Sequence, residues 1–478
     1  MGTDLYFETL TRISELIRSR QISSVEVTKA LLDRIAQLDG RYRSYTTLLA
    51  DRAMTRAAAA DVETSKGMWR GPLHGVPVAV KDLCFTEFSQ TTGGTMIHKN
   101  WTPDYNATVI DRLEQGGAVI LGKLKMTEGA YTSHHPDDPS PLNPWNLDHW
   151  VGSSSTGAGV ATAAGLCYGS LGSDTGGSIR FPSATCGLTG IKPTWGRVSR
   201  YGVFALAASL DHIGPMTRSA ADAAAILGVI AGADPNDPTA LQASVPDYLA
   251  AANQGIRGVI IGIDRSYNGD GIDREVVAAV EEAEQVLVRL GARIRDTAFP
   301  PTVKLLRGWI PFCSIETAIA HKETYPARAA EYGPALAQLI DQGRSLIGME
   351  IGEIYHERLD FSGRLAALFQ DVDLLLMPTM PVPVPNLSRM AEYGADPDVL
   401  LRLLRFTAPF DFSGSPTITL PSGIDRLGIP LSMQLIGRHL SEDVLCRAGH
   451  AFQQVTDWHT RRPAGLSESV GSTEVRFL

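Results

Sequence analysis

The alternation of apolar and polar positions divides the chain into helices and short buried strands. Residues 5 to 60 read as helices. LTRISELIRSRQ sets Leu10, Ile13, Leu16 and Ile17 near helical spacing, and SSVEVTKALLDRIAQLDG runs Val27, Leu31, Ile35 and Leu38 between a capping Ser23 or Ser24 and an exit at Gly40. GPLHGVPVAVKDL is the first buried strand, with Val76, Val78 and Val80 alternating with Pro77 and Ala79, and Lys81 closing it. Residues 82 to 105 read as loop, NATVIDRLEQGG as helix and AVILGKL as strand; KMTEGAYTSHHPDDPSPLNPWNLDHW is irregular. GVATAAGL reads as a tightly packed helix, CYGSLGS as a short strand and SIRFPSATCG as another helix.

Further on, SAADAAAILGVIAG is a helix, and RGVIIGID, EVVAAVEEAEQVLVRLGA and ARIRDTAF form a β-α-β unit, which implies parallel pairing through a right-handed crossover. Residues 301 to 370 are mostly helical. VDLLLMPTMPVPVP is a strand that breaks into a proline-rich loop, FDFSGSPTITLPSG and GIPLSMQLIG are strands, and SEDVLCRAGHAFQQVTDW is a final helix. The fold expected is α/β: one large domain over 1–478, with a mixed central β-sheet covered on both faces by α-helices. Residues 1–60 would pack on the core, 70–230 would form it, and 265–370 would make a largely helical region. No linker, low-complexity tract or repeat divides the chain, which overrides the two to four units that its 478 residues would otherwise suggest.

Composition narrows the function classes. The net charge is −9 and no cluster of five to eight basic residues occurs, so a nucleic-acid partner is not expected. The longest apolar runs fall far below the roughly 20 residues of a spanning helix, and the N-terminal stretch alternates apolar with charged residues, so neither a membrane span nor a leader is expected. Cys84, Cys167, Cys186, Cys313 and Cys446 are scattered and form no CxxC pair, which reads as reduced thiols serving as small core residues in the cytoplasm. Gly117, Gly122 and Lys123 open like a P-loop, but Leu124 follows and the glycines bracket a strand; Gly157, Gly159 and Thr162 miss GxGxxG at its last position. His134 and His135 beside Asp137 and Asp138 are too tightly spaced for a preformed metal site. No cofactor and no metal are expected.

The informative stretch is GSSSTGAGVATAAGLCYGSLGSDTGGSIRFPSATCGLTG, residues 152 to 190, built almost entirely from Gly, Ser, Thr and Ala. Such residues suit close approach of backbone to backbone or to a bound group. Ser178 falls where TGG turns strand into helix, a position that exposes a hydroxyl and aims neighbouring amides outward, as an oxyanion site requires.

GSSSTGAG and GSDTGGSIR, with Ser178 following Ser154 by 24 residues and Lys81 ending an upstream apolar strand, resemble the amidase signature family. The likeness extends through KPTWGRVSRYG and SLDHIGPMTRSAAD. It implies hydrolysis of a carboxamide or related N-acyl bond, of a small or aryl amide, anilide or hydrazide, through a Ser-Ser-Lys triad and an acyl-enzyme. Ser178 would attack. Ser154, in a cis peptide, would bridge to Lys81, which can act as base only if burial keeps it neutral. Asp82 would point the other way along the strand. The amides of Thr175, Gly176, Gly177 and Ser178 would hold the oxyanion. The family core reads GGSSGGS, so Ser153, Thr156, Ala158 and Gly159 depart from it, and Thr156 sets a β-branched residue beside the bridging serine. Ser153 and Ser155 read as turn and support residues, Asp174 as a cap of the TGGS turn, and Arg180 as a brace of the core.

Neither serine lies in G-x-S-x-G, so a nucleophile elbow is not supported. Pocket walls are expected from Met126 to Tyr131, the loop 132–146, the helical part near Trp309 to Glu316 and the loop from Pro381 to Gly414, with Met126, Tyr131 and Phe312 as pocket residues. Phe312, Phe406, Phe410 and Phe412 could make it aromatic; the alternative is ordinary core. The expected partner is a small-molecule amide, and a homodimer is left open. A glutaminase component of an aminoacyl-tRNA amidotransferase, which would look similar through Ser178, is the alternative; a catalytically inert scaffold is disfavoured by the intact Lys81, Ser154 and Ser178.

Overall fold

The alternating segments assemble into a single mixed sheet. The computed structural model describes residues 5–466, so the ends of the expected 1–478 domain, residues 1–4 and 467–478, lie outside the described residues. Its strands are β1 (Tyr45–Leu48), β2 (Pro77–Lys81), β3 (Val119–Leu124), β4 (Gly169–Asp174), β5 (Thr189–Lys192), β6 (His212–Thr217), β7 (Ile260–Ile263), β8 (Arg293–Asp296), β9 (Leu374–Pro378), β10 (Thr417–Ile424) and β11 (Pro430–Gly437). Their order across the sheet is β1-β3-β2-β4-β6-β5-β10-β11-β9-β7-β8. Two parallel groups, β3-β2-β4 and β9-β7-β8, flank an antiparallel centre. The predicted parallel pairing of RGVIIGID with ARIRDTAF is that of β7 with β8.

Every residue of β2, β3, β4, β6, β9 and β11 is buried. A sheet buried on both faces needs helices on both, and this architecture has them. Helices Thr156–Ala163, Ala220–Ile230, Arg274–Arg289 and Glu442–Gln453 pack against the strands. The helix Thr156–Ala163 is buried along its whole length, which only small side chains permit between strands and neighbouring backbone.

Three segments depart from expectation. Phe410 to Phe412, expected to open a strand, end the helix Ala408–Phe412, and the strand starts only at Thr417. The expected loop from Pro381 to Gly414 also carries the helices Leu387–Ala395 and Pro397–Leu403, because their asparagine and aspartate caps satisfy the first backbone amides. Residues 5–60 are not all helical: Tyr45–Leu48 is an edge strand, antiparallel to β3. Its YTTL sequence is aromatic and β-branched, and once the helix ends at Tyr42 the ladder to β3 satisfies the strand's own backbone groups.

The topology also fixes the site. β2 and β4 are parallel neighbours, with Ala79 opposite Ser170 and Val80 opposite Leu171. Their carboxyl ends therefore lie together, the usual place for a ligand in sheets of this kind. Lys81 ends β2, Asp174 ends β4, and Ser178 follows in the turn before the helix Arg180–Cys186. Among the described residues no helix is long and apolar enough to cross a membrane.

Candidate active site

Lys81 is completely buried, and its ammonium donates to Ser154 Oγ at 2.6 Å and Ser173 Oγ at 2.8 Å. Among the described residues no carboxylate pairs with it. Burial removes the water that would hydrate its charge and lowers its pKa to about 7, against the opposing pull of Asp174 and Asp211. Asp82 does turn away as the alternation predicted, to Lys123 at 3.3 Å and Thr92 Oγ1 at 2.5 Å. The peptide bond Ser153–Ser154 is cis. Thr127 N donates to Ser154 O at 3.1 Å, and Ser155 Oγ bonds to both N and O of Ser173, so Ser155 ties this loop to β4.

The turn carrying Ser178 is organised around Asp174. This carboxylate accepts from Gly177 N at 2.7 Å, Ile179 N at 2.9 Å and Arg180 N at 3.2 Å, and from the Arg180 guanidinium at 2.8 and 3.1 Å. Burial pushes the Asp174 carboxyl up, but the Arg180 charge and hydrogen bonds outweigh it and hold the group well below the usual carboxylate range. Arg180 also reaches Asp411 at 2.6 Å and Thr407 O at 2.8 Å, all in complete burial. Beside this network, Lys192 donates to His212 Nε2 at 3.1 Å, and burial brings its pKa to about 7. Asp174 and Arg180 thus occupy the cap and brace positions expected of them.

One expectation narrows. The four amides from Thr175 to Ser178 do not all face outward, because Gly177 N is spent on Asp174. The amides of Thr175, Gly176 and Ser178 have no acceptor among the described residues. Gly176 leaves no room for a side chain: a Cβ there would lie 2.4 Å from the Trp309 ring, whose Nε1 donates to Thr175 O at 3.0 Å. Gly177 has φ 134°, a backbone conformation in which a side chain is strained.

Ser178 is half-buried and opens on a cavity of about 950 Å³. No hydrogen bond joins Ser178 Oγ to Ser154 Oγ among the described residues. Tyr131, Thr132, Ser133 and His134 form a polar side of the cavity; Trp150, Phe181, Trp309, Leu339, Met390 and Leu404 contribute apolar surface. Of the pocket residues expected, Tyr131 lines it, but Met126 and Phe312 do not. Met126 is buried behind the wall, and Phe312 packs edge-on against Phe412 with ring centroids 5.6 Å apart. Phe406, Phe410 and Phe412 are likewise core. The helix Pro334–Ser345, which the sequence did not single out, supplies a further wall through Ala335, Gln338, Leu339 and Gln342.

His134 Nε2 lies 3.2 Å from Thr156 Oγ1, and its Nδ1 lies 3.9 Å from Asp138, which pairs with Lys125. The histidine motif and the departure at Thr156, unrelated in the sequence, thus form one contact. Among the described residues no three His, Cys, Asp or Glu groups are placed to hold a metal. Ser173, the second hydroxyl on Lys81, was missed. The β2–β4 register decides which serine of GSLGSD meets the lysine, and no local pattern encodes it.

The amidase family model matches residues 26–446. The chain belongs to the amidase family. A Mycobacterium tuberculosis protein named "Putative amidase AmiD" is 49% identical over 95% of both chains. A glutamyl-tRNA(Gln) amidotransferase polypeptide from Moorella thermoacetica is 38% identical over 96% of this chain and 99% of its own. Among solved structures, the peptide amidase of Stenotrophomonas maltophilia matches with TM-score 0.81 and 28% identity over 96% of this chain and 99% of its own. This amidase-family protein is an enzyme acting on C–N amide bonds.

Proposed function

We propose that this amidase hydrolyses a carboxamide or related N-acyl bond through Lys81, Ser154 and Ser178, by way of an acyl-enzyme on Ser178. The observation that carries the reading is the buried Lys81 amine, without a carboxylate partner among the described residues and 2.6 Å from Ser154 Oγ, whose chain neighbour Ser153 lines the cavity that Ser178 faces. Near pH 7 much of this amine is neutral and can accept a proton. Ser154 passes its hydroxyl proton to Lys81 and takes that of Ser178, whose oxygen attacks the carbonyl. The amides of Thr175, Gly176 and Ser178 receive the oxyanion. The proton returns through Ser154 to the leaving nitrogen, the C–N bond breaks, and water releases the acid by the same relay.

The apolar part of the cavity supports a small or aryl acyl amide, with anilides, hydrazides and esters as related substrates. A glutaminase, the alternative that the Moorella relative brings to mind, must hold the α-ammonium of glutamine, and no Asp or Glu is among the described residues lining this cavity. That favours a free-standing amidase. The five cysteines are buried thiols without disulfides among the described residues, which supports a reducing compartment such as the cytoplasm.

Intact-mass measurement during turnover of an acyl anilide or aryl ester tests the mechanism. An acyl adduct mapped to Ser178, absent from Ser178→Ala, is expected. Normal turnover by Ser178→Ala, or an adduct on another residue, would refute it.

A further inference from the structure

We propose that the mouth of this cavity binds a carboxylate of the substrate remote from the scissile bond, with Arg307 as its main contact. This specificity rests on the hydrolase reading above. Arg307 is exposed, lines the cavity that reaches Ser178, and has no hydrogen bond or ion pair among the described residues. The neighbouring Arg358, by contrast, is held by Phe412 O at 2.7 Å and Ser209 O at 2.9 Å. Leaving a guanidinium uncommitted at a cavity mouth keeps its forked donors available for a planar anion.

The surroundings favour the same sign. No Asp or Glu is among the described residues lining the cavity. The acidic groups close behind it are engaged: Glu128 accepts from Gly333 N at 3.0 Å, and Glu316 accepts from Ser209 N at 2.8 Å and Ser209 Oγ at 2.6 Å. A cation at the opening of a cleft with low-dielectric walls focuses its field there. Two further donors stand on the adjoining helix. Gln338 and Gln342, one turn apart on Pro334–Ser345, line the cavity, and their carboxamides have no partner among the described residues.

Spacing sets the reach. Arg307 and Trp309 lie on one helix, Val303–Ala320, about 3 Å apart along its axis. Trp309 bonds Thr175 O and packs on Gly176, beside the reacting serine. Ser178 and Arg307 line the same cavity, so a substrate whose carbonyl sits at Ser178 extends toward Arg307 within it. A carboxylate on a short chain meets the guanidinium there, carried either by the acyl part or by the amine part of the amide.

Two matched pairs test this. Glutaryl p-nitroanilide against hexanoyl p-nitroanilide probes the acyl arm; N-benzoyl-β-alanine against N-benzoylpropylamine probes the amine arm. In one arm the anionic member should show a kcat/KM about tenfold higher, shrinking with added salt. That ratio should fall toward one in Arg307→Gln and below one in Arg307→Glu. It should stay unchanged in Lys304→Gln, which alters a cation of the same helix that pairs with Glu357 outside the cavity. A wild-type ratio near one in both arms, or a preference that survives Arg307→Gln, overturns the proposal. If no amide is turned over, the hydrolase reading fails separately. Calorimetry with glutarate on Ser178→Ala, with and without Arg307→Gln, then decides: binding lost with the arginine supports the site, and no binding, or binding unaffected by Arg307→Gln, overturns it.

Discussion

A base that works by being neutral must leave its mark on the pH profile. With the Lys81 pKa brought by burial to about 7, roughly half the enzyme carries a neutral amine at pH 7, about 1% at pH 5 and about 99% at pH 9. An exposed lysine near pKa 10.4 would be neutral in only about 0.04% of molecules at pH 7, so burial raises the competent fraction about a thousandfold. kcat/KM for a neutral anilide, measured from pH 5 to 9 at constant ionic strength, should rise about tenfold per unit at low pH, bend near 7 and then level off. Lys81→Met should remove that limb together with most of the activity. A profile flat from pH 5 to 9, or a limb displaced to about pH 10, would refute the idea of a desolvated lysine base. Stability should carry the same signature. The folded pKa lies below the unfolded one, so between about pH 7 and 10.5 the unfolded chain binds more protons than the native one. Wild type should gain stability relative to Lys81→Met as pH rises through that window, with the gain absent below about pH 7.

Ser173→Ala should lower kcat and move the acid limb to lower pH, because a hydroxyl 2.8 Å from the amine also stabilises its charged form; hydrogen bonds to charged groups are worth about 1.5–3 kcal/mol. An unmoved limb in the pH–rate profile would remove that serine from the site. Arg180→Ala leaves Asp174 and Asp411 buried without their cation and should cost about 3–5 kcal/mol in urea unfolding. Gly176→Ala should depress kcat severely by driving a Cβ into the Trp309 ring, and the double variant with Trp309→Ala should recover part of the loss. Additive losses in kinetic assays of the single and double variants would show that the clash is not the cause.

The sequence by itself determined a good deal. Small residues from 152 to 190 can pack only where backbones meet, so the position of the close-packed centre was legible; Lys81 at the end of an apolar strand reads by itself as a snorkelling surface residue, and only the downstream serine pattern pointed to its role at the centre. Alternation also foretold that Asp82 faces away, since successive side chains on a strand diverge. What tertiary structure decided is everything that depends on strand register and on shared acceptors. That Ser173 rather than Ser170 meets Lys81 follows from the pairing of β2 with β4, which joins residues about 90 positions apart. That Gly177 turns its amide to Asp174 follows from the carboxylate satisfying several donors at once, and no residue type announces that choice. Met126 and Phe312 read as pocket because they lie in wall segments. Yet an apolar side chain at a wall can face in or out, and only the packing of neighbouring helices sets which. Likewise YTTL became a strand because the edge of β3 was open to it, a fact about a partner more than seventy residues away.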